Sequence, residues 1–168
     1  MRIGLYILMM VFLSVQSVNT ETDEVVMARL ISGRVLAILT IAQEALKEPY
    51  EGKLAVAEVI RNRMQQKYSS DGTVEGTVLK PYQFSGWNTA DITRIKSMRW
   101  DDQWQEMRDC ARAWDEALLG SDTVKGALLY YAPQVVPEPK WARPEYAEQV
   151  ASIGGHLFFV PLPPQAEV

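Results

Sequence analysis

Val35-Leu36-Ala37-Ile38-Leu39-Thr40-Ile41-Ala42-Gln43-Glu44-Ala45-Leu46-Lys47-Glu48-Pro49 is the stretch from which the rest of the chain can be read. Its first eight residues are apolar on nearly every side, so a helix there must be buried all round and not docked by one stripe. Pro49 pushes the residue before it out of the α region, which stops the helix around Lys47 or Glu48 and leaves Glu44 in its last turn, at a rim. Packing of that kind partly desolvates a carboxyl group and favours its neutral form, the form from which a general acid starts. Glu44 is therefore the candidate catalytic acid, weighed against the solvated role usual for a glutamate at a helix end. Glu48, Glu51 and Glu58 compete with it. Glu51 suits the dipole of a helix starting after Pro49, and Glu58, among Leu54, Val56, Val59 and Ile60, is expected to form a buried ion pair with Arg61 and Asn62 nearby.

Working outward toward the N-terminus, Met1-Arg2 followed by the apolar run Ile3 to Val15 and by Val15-Gln16-Ser17 reads as a signal peptide or signal-anchor over residues 1–17. The run is shorter than the roughly 20 residues that span a bilayer, and export is the expected consequence. Thr22 or Asp23 can cap a helix from Glu24, which Ser32-Gly33 is expected to loosen before Arg34. Beyond Pro49, a helix from Tyr50 to about Lys67 carries Leu54, Ala57, Ile60 and Met64 on one face.

From Tyr68 to Asn88 turn residues replace periodicity, and a long structured loop is expected. Within it Gln83, Ser85 and Asn88 offer amides and a hydroxyl, and Phe84 and Trp87 offer flat faces, as one wall of a cleft; the alternative is that the two rings only plug the loop onto the core. A short helix is expected over Asp91 to Trp100, and a longer one from Asp101 to Leu119 with Trp104, Met107, Cys110, Ala111, Trp114 and Leu118 as its core stripe, closed by Gly120. Tyr130, Tyr131 and Trp141 are candidates for the opposite wall. Glu145 to Ser152 reads as a short helix or turn, Ile153 to Val160 as a glycine turn and a strand, and 161–168 as a flexible tail.

Composition sets the limits. A chain of 168 residues with 48% hydrophobic content and net charge −4 holds one core, and dispersed Lys and Arg argue against nucleic acid. Cys110 is the single cysteine and His156 the single histidine, so neither an internal disulfide nor a zinc site built on several histidines can be assembled. No cofactor is called for.

Six blocks in order carry a resemblance: Glu-Ala-x-x-Glu-Pro-Tyr-Glu-Gly at 44–52, Ala-Val-Ala-x-Val-Ile-x-Asn-Arg at 55–63, Gln-Phe-Ser at 83–85, Gly-Ala-x-x-Tyr-Tyr at 126–131, Pro-x-Trp-Ala at 139–142, and Ile-Gly-Gly-His-x-Phe-Phe at 153–159. Over 24–160 the chain resembles the catalytic domain of the SleB-type cell wall hydrolases. Two departures are Leu46-Lys47, where the family commonly has Arg-Gly, and Ala132, where a polar residue is usual. The resemblance implies a mainly α (α+β) fold, a small lysozyme-like helical domain with a short β element near the C-terminus. It implies cleavage of peptidoglycan glycan strands, with Glu44 as the catalytic residue and Gln83, Phe84, Ser85, Tyr130 and Tyr131 along the groove, which Trp87 and Trp141 join as aromatic faces. An exported monomer is expected, touching the membrane only through its N-terminal segment and acting as a lytic transglycosylase. A muramidase, an amidase and a non-catalytic glycan-binding protein are the alternatives.

Overall fold

The computed structural model describes residues 23–88 and 103–163. Helix α1 (Asp23–Ala45) runs into α2 (Tyr50–Gln66) through the Glu48-Pro49 turn, and Pro49 starts α2 with the fixed φ that a first helical turn tolerates. The centre of α2 is buried on all sides, from Gly52 to Arg63, and α1, α3 (Val74–Val78), α4 (Trp104–Leu118) and the sheet all pack on it. It ends where Lys67 turns left-handed (φ 51°) and the N–H groups of Lys67 and Tyr68 bond back to Met64 and Arg63.

The main core gathers Ile41, Ala45, Leu54, Val56, Ile60, Val78, Phe84, Cys110 and Trp114 between these helices. Full burial of one such large side chain stabilises the fold by roughly 1.5–3 kcal/mol. A three-stranded antiparallel sheet, in the order β1-β3-β2, covers the other face of α2: β1 (Leu129–Tyr131), β2 (Ala147–Ile153) and β3 (His156–Pro161). A second cluster, with Ala55, Val59, Val124, Ala127 and Phe158, joins sheet to helix. The fold is thus mainly helical with a small C-terminal β element. Among the described residues no helix is long and apolar enough to cross a membrane.

Five local readings change. Ser32-Gly33 does not divide the N-terminal helix; Gly33 is buried against Val74 and Glu75 of α3, and packing outweighs the cost of about 1 kcal/mol for glycine within a helix. The expected loop over 68–88 contains α3, capped by the Thr73 hydroxyl, which accepts from Gly76 N at 3.0 Å. A Cβ on Gly76 would come within 2.1 Å of Asp71 Oδ1, so a larger residue there would push the Asp71 side chain off Thr73.

The stripe on α4 is shorter at both ends. Met107, Cys110 and Trp114 are buried, but Trp104 is 63% and Leu118 53% exposed. The stretch expected as a helix or turn at 145–152 is strand β2, an edge strand with polar outward residues and an irregularity between Gln149 and Ala151. Pro161, at the start of the expected tail, is paired with Ala147. The N-terminal segment 1–17 and the helix expected at 91–100 lie outside the described residues.

Candidate active site

The last turn of α1 presents Glu44 at a rim, half-buried. Its Oε1 accepts from the backbone N–H of Ser85 at 3.1 Å and from the Ser85 hydroxyl at 3.2 Å. Its Oε2 accepts from the Tyr130 hydroxyl at 3.1 Å. The first partner comes from the 3-10 turn Ser85–Trp87 and the second from β1, so the carboxyl group bridges the helical half and the sheet. A hydroxyl can rotate from donor to acceptor. Ser85 and Tyr130 can therefore hold Glu44 both as a carboxylate and as a carboxylic acid, which a group giving and then taking a proton requires.

These residues line a cleft of about 460 Å³ together with Gln43, Arg63, Tyr82, Gln83, Asn88, Tyr131, Ala132, Val135, Val136 and His156. Among the described residues Glu44 is the only carboxylate that lines the cleft. Arg63 lies under the cleft, its Nε donating to Leu128 O at 2.6 Å and its Nη1 to Gln83 Oε1 at 3.2 Å. Burial lowers the guanidinium pKa, and the neighbouring Tyr130, Tyr68 and Glu44 pull it back up. Burial, and after it the charge of Glu44, hold the Tyr130 hydroxyl well above the ordinary phenol value, so its proton stays in place. Two apolar groups at the rim, Tyr82 (88% exposed) and Val135 (80% exposed), offer uncovered surface to a ligand.

Of the residues singled out from sequence, Glu44, Gln83, Ser85, Tyr130 and Tyr131 meet at the cleft. Three do not. Phe84 is 1% exposed, packed into the core with the Arg63 guanidinium 5.0 Å above its ring, so it presents no face to a ligand. Trp87 packs on the core and donates from Nε1 to Thr40 Oγ1 at 3.0 Å.

Trp141 lies edge-on to Tyr131 and Phe159, at 5.8 and 5.5 Å between ring centroids, in the cluster under the sheet. Strand alternation explains this, because adjacent residues of β1 point to opposite faces. Tyr130 turns toward Glu44, His156 and Phe158, and Tyr131 toward Trp141 and Phe159. Tyr131 also borders a second cavity with Glu138, Ala142 and Glu148.

Sequence reading missed Arg63, Tyr82 and His156 as lining residues. For Arg63 the local signal was its place in the last turn of α2, which the helix dipole accounts for without any role in the cleft. Glu58 also differs from expectation. It pairs not with Arg61 but with Thr123 Oγ1 (2.9 Å) and Val124 N (3.0 Å), while Arg61 binds the carbonyls of Ala117 and Ser121. Glu48 accepts from Gly155 N at 2.8 Å and so ties the α1–α2 turn to the β2–β3 hairpin. A Cβ on Gly154, where φ is +57°, would lie 2.1 Å from that carboxylate, so a larger residue there would strain the backbone and displace Glu48. Among the described residues no group of three or more His, Cys, Asp or Glu side chains is placed to hold a metal ion.

Comparison with known proteins adds a further observation. The family model described as Cell Wall Hydrolase matches residues 47–159, a span that contains Ser85, Tyr130 and His156 and begins just after Glu44. The spore cortex-lytic enzyme of Oceanobacillus iheyensis is 36% identical over 117 residues, 68% of this chain and 37% of that protein. The enzyme of the same name from Bacillus subtilis is 32% identical over 117 residues, 68% of this chain and 33% of its own. The chain thus spans about a third of the length of these curated relatives.

Two solved structures are similar over most of the chain. The catalytic domain of the Bacillus cereus SleB protein superposes with a TM-score of 0.59 at 27% identity, covering 77% of this chain and 91% of that one. The catalytic domain of the germination-specific lytic transglycosylase SleB from Bacillus anthracis gives 0.58 at 25% identity, covering 84% and 98%.

Proposed function

We infer that this chain, which belongs to the cell wall hydrolase family, degrades peptidoglycan by cleaving the glycan strand between N-acetylmuramic acid and N-acetylglucosamine. The observation that carries this reading is the placement of Glu44, a single carboxyl group held by three hydrogen bonds at the edge of an open cleft. The names of the relatives, spore cortex-lytic enzyme and lytic transglycosylase, support the same substrate. Such a substrate lies outside the cytoplasmic membrane, in keeping with the exported character of the N-terminal segment.

In the proposed reaction Glu44 starts protonated and donates to the glycosidic oxygen as an oxocarbenium-like centre develops. The bond to the leaving sugar breaks, and Glu44 becomes a carboxylate that Ser85 and Tyr130 stabilise as donors. It then takes a proton. Taking it from the C6 hydroxyl of the muramic acid closes a 1,6-anhydro ring, and taking it from water leaves a reducing end. Ordinary glycosidases place two carboxyl groups about the scissile bond, and among the described residues one lines the cleft, which favours the intramolecular, transglycosylase outcome. Gln83, Ser85, Tyr130 and Tyr131 are the proposed substrate contacts, with Tyr82 and Val135 as apolar supports for sugar faces.

Mass spectrometry of the soluble fragments released from purified peptidoglycan tests this directly, with Glu44→Gln as control. Anhydro-muropeptides from the wild type alone are the expected result. Reducing muropeptides would replace the transglycosylase step by hydrolysis, and the absence of any fragment would overturn the enzymatic reading.

A further inference from the structure

His156 opens β3 directly behind the Gly154-Gly155 turn that Glu48 holds. It is 7% exposed and forms part of the wall of the cleft that contains Glu44. The Tyr130 ring meets it at right angles with centroids 5.4 Å apart, and Phe158 backs it at 6.2 Å. Two aromatic neighbours fix the imidazole without offering it a hydrogen bond. Neither ring nitrogen has a hydrogen-bond partner among the described residues, and Nδ1 is sealed from solvent. Nε2 is therefore the ring nitrogen that can reach a ligand in the cleft.

The position of the proton follows from the same burial. A sealed N–H without an acceptor costs more than an idle lone pair, so a neutral imidazole keeps its proton on Nε2 and directs a donor into the cleft. Arg63, which also only donates, lies under the cleft with Nε and Nη1 engaged by Leu128 and Gln83, and the remaining polar lining groups are less selective. The hydroxyls of Ser85 and Tyr130 and the amides of Gln83 and Asn88 can each donate or accept. A group that only donates discriminates between partners by their lone pairs. Along a glycan strand of amino sugars the strongest neutral acceptor is the carbonyl of the 2-acetamido group. Removal of the acetyl group replaces that carbonyl by an ammonium, which has donors only, and it would do so in a cleft already underlain by the Arg63 cation.

We propose that His156 is a specificity-determining residue that donates from Nε2 to the carbonyl of a 2-acetamido group, so that the cleft selects N-acetylated over de-N-acetylated glycan. The inference rests on the glycan-cleaving reading above and deepens it.

The test compares fragment release from purified peptidoglycan and from the same material after chemical de-N-acetylation, for the wild type, His156→Phe and His156→Gln. Binding of soluble glycan fragments of both kinds to Glu44→Gln is measured alongside. The wild type is expected to prefer the acetylated material on the order of tenfold, the worth of one lost hydrogen bond. His156→Phe loses that preference, and His156→Gln, which keeps an N–H donor, retains most of it. Damage to the fold alone would slow both substrates together and leave their ratio unchanged.

An unchanged ratio in His156→Phe, or a ratio near one in the wild type, overturns the role of His156 while glycan cleavage stands. If the wild type releases nothing but Glu44→Gln binds, the binding ratio, repeated with His156→Phe added to Glu44→Gln, decides in the same way. The absence of both release and binding overturns the glycan-cleaving reading and this inference with it.

Discussion

Glu44 and Glu58 stand on adjacent helices, and each is received by a hydroxyl and a backbone N–H from one short segment of chain. For Glu44 the segment is Ser85 itself, at 3.2 and 3.1 Å. For Glu58 it is Thr123 and Val124, at 2.9 and 3.0 Å. The chemistry of reception is the same, and the surroundings are not. Glu58 is wholly sealed, whereas Glu44 faces a cleft and shares its second oxygen with a phenol that can turn from donor to acceptor. A sealed carboxyl group serves as a joint between α2 and the segment before β1. An open one with reversible partners is free to exchange a proton with something that enters.

The comparison breaks if activity does not follow it. Glu44→Gln is expected to lower fragment release by roughly 10²–10⁴-fold, the usual worth of a general acid, with a melting temperature close to that of the wild type. Glu58→Ala should do the reverse. It leaves the Thr123 hydroxyl and the Val124 N–H without their acceptor and costs about 2–3 kcal/mol in urea denaturation, while activity per folded molecule persists. Should Glu58→Ala abolish activity in fully folded protein, the division between joint and proton carrier would be lost.

Tyr130→Phe sharpens the comparison, since it removes one reversible partner and leaves the ring packing against His156 and Phe158 intact. A fall of about tenfold in rate is expected, with stability nearly unchanged. The smallest effect concerns a third kind of carboxylate. Asp115 pairs with Arg34 at 2.8 Å on open surface, where such a pair contributes about 1 kcal/mol or less, so Arg34→Ala should barely move either the melting curve or the rate.

Much of the helical half was legible because its signals are local. Pro49 and the periodicity after it place α2 within a residue of its observed end, and the apolar run before Gln43 puts Glu44 at a helix rim. What was not legible depends on partners distant in sequence. β2 looks like a helix surface because it is an edge strand, polar outward, and only pairing with β3 makes it a strand. Phe84, Trp87 and Trp141 had the composition of binding residues, but composition does not say which side of a loop faces inward. For Tyr130 and Tyr131 the period of two would have separated the faces once β1 was recognised as a strand. The role of Glu48 as the hold on Gly154-Gly155 left no local trace, since its partner is 107 residues away.

That long closure bears on when the cleft is complete. Glu44 is bound to positions 41 and 86 residues downstream, and the hairpin behind Tyr130 is fastened to the Glu48 turn only when the far end of the chain has returned to it. Contacts so distant in sequence carry the loop-closure cost of the whole domain and form late. The helices can collapse first, but a cleft missing β1 and β3 has no Tyr130 and no His156. On the proposed reading, maturation is thereby built into topology: a chain whose last strand has not returned lacks Tyr130 and His156 at the cleft, and glycan cleavage is expected only once β3 is in place.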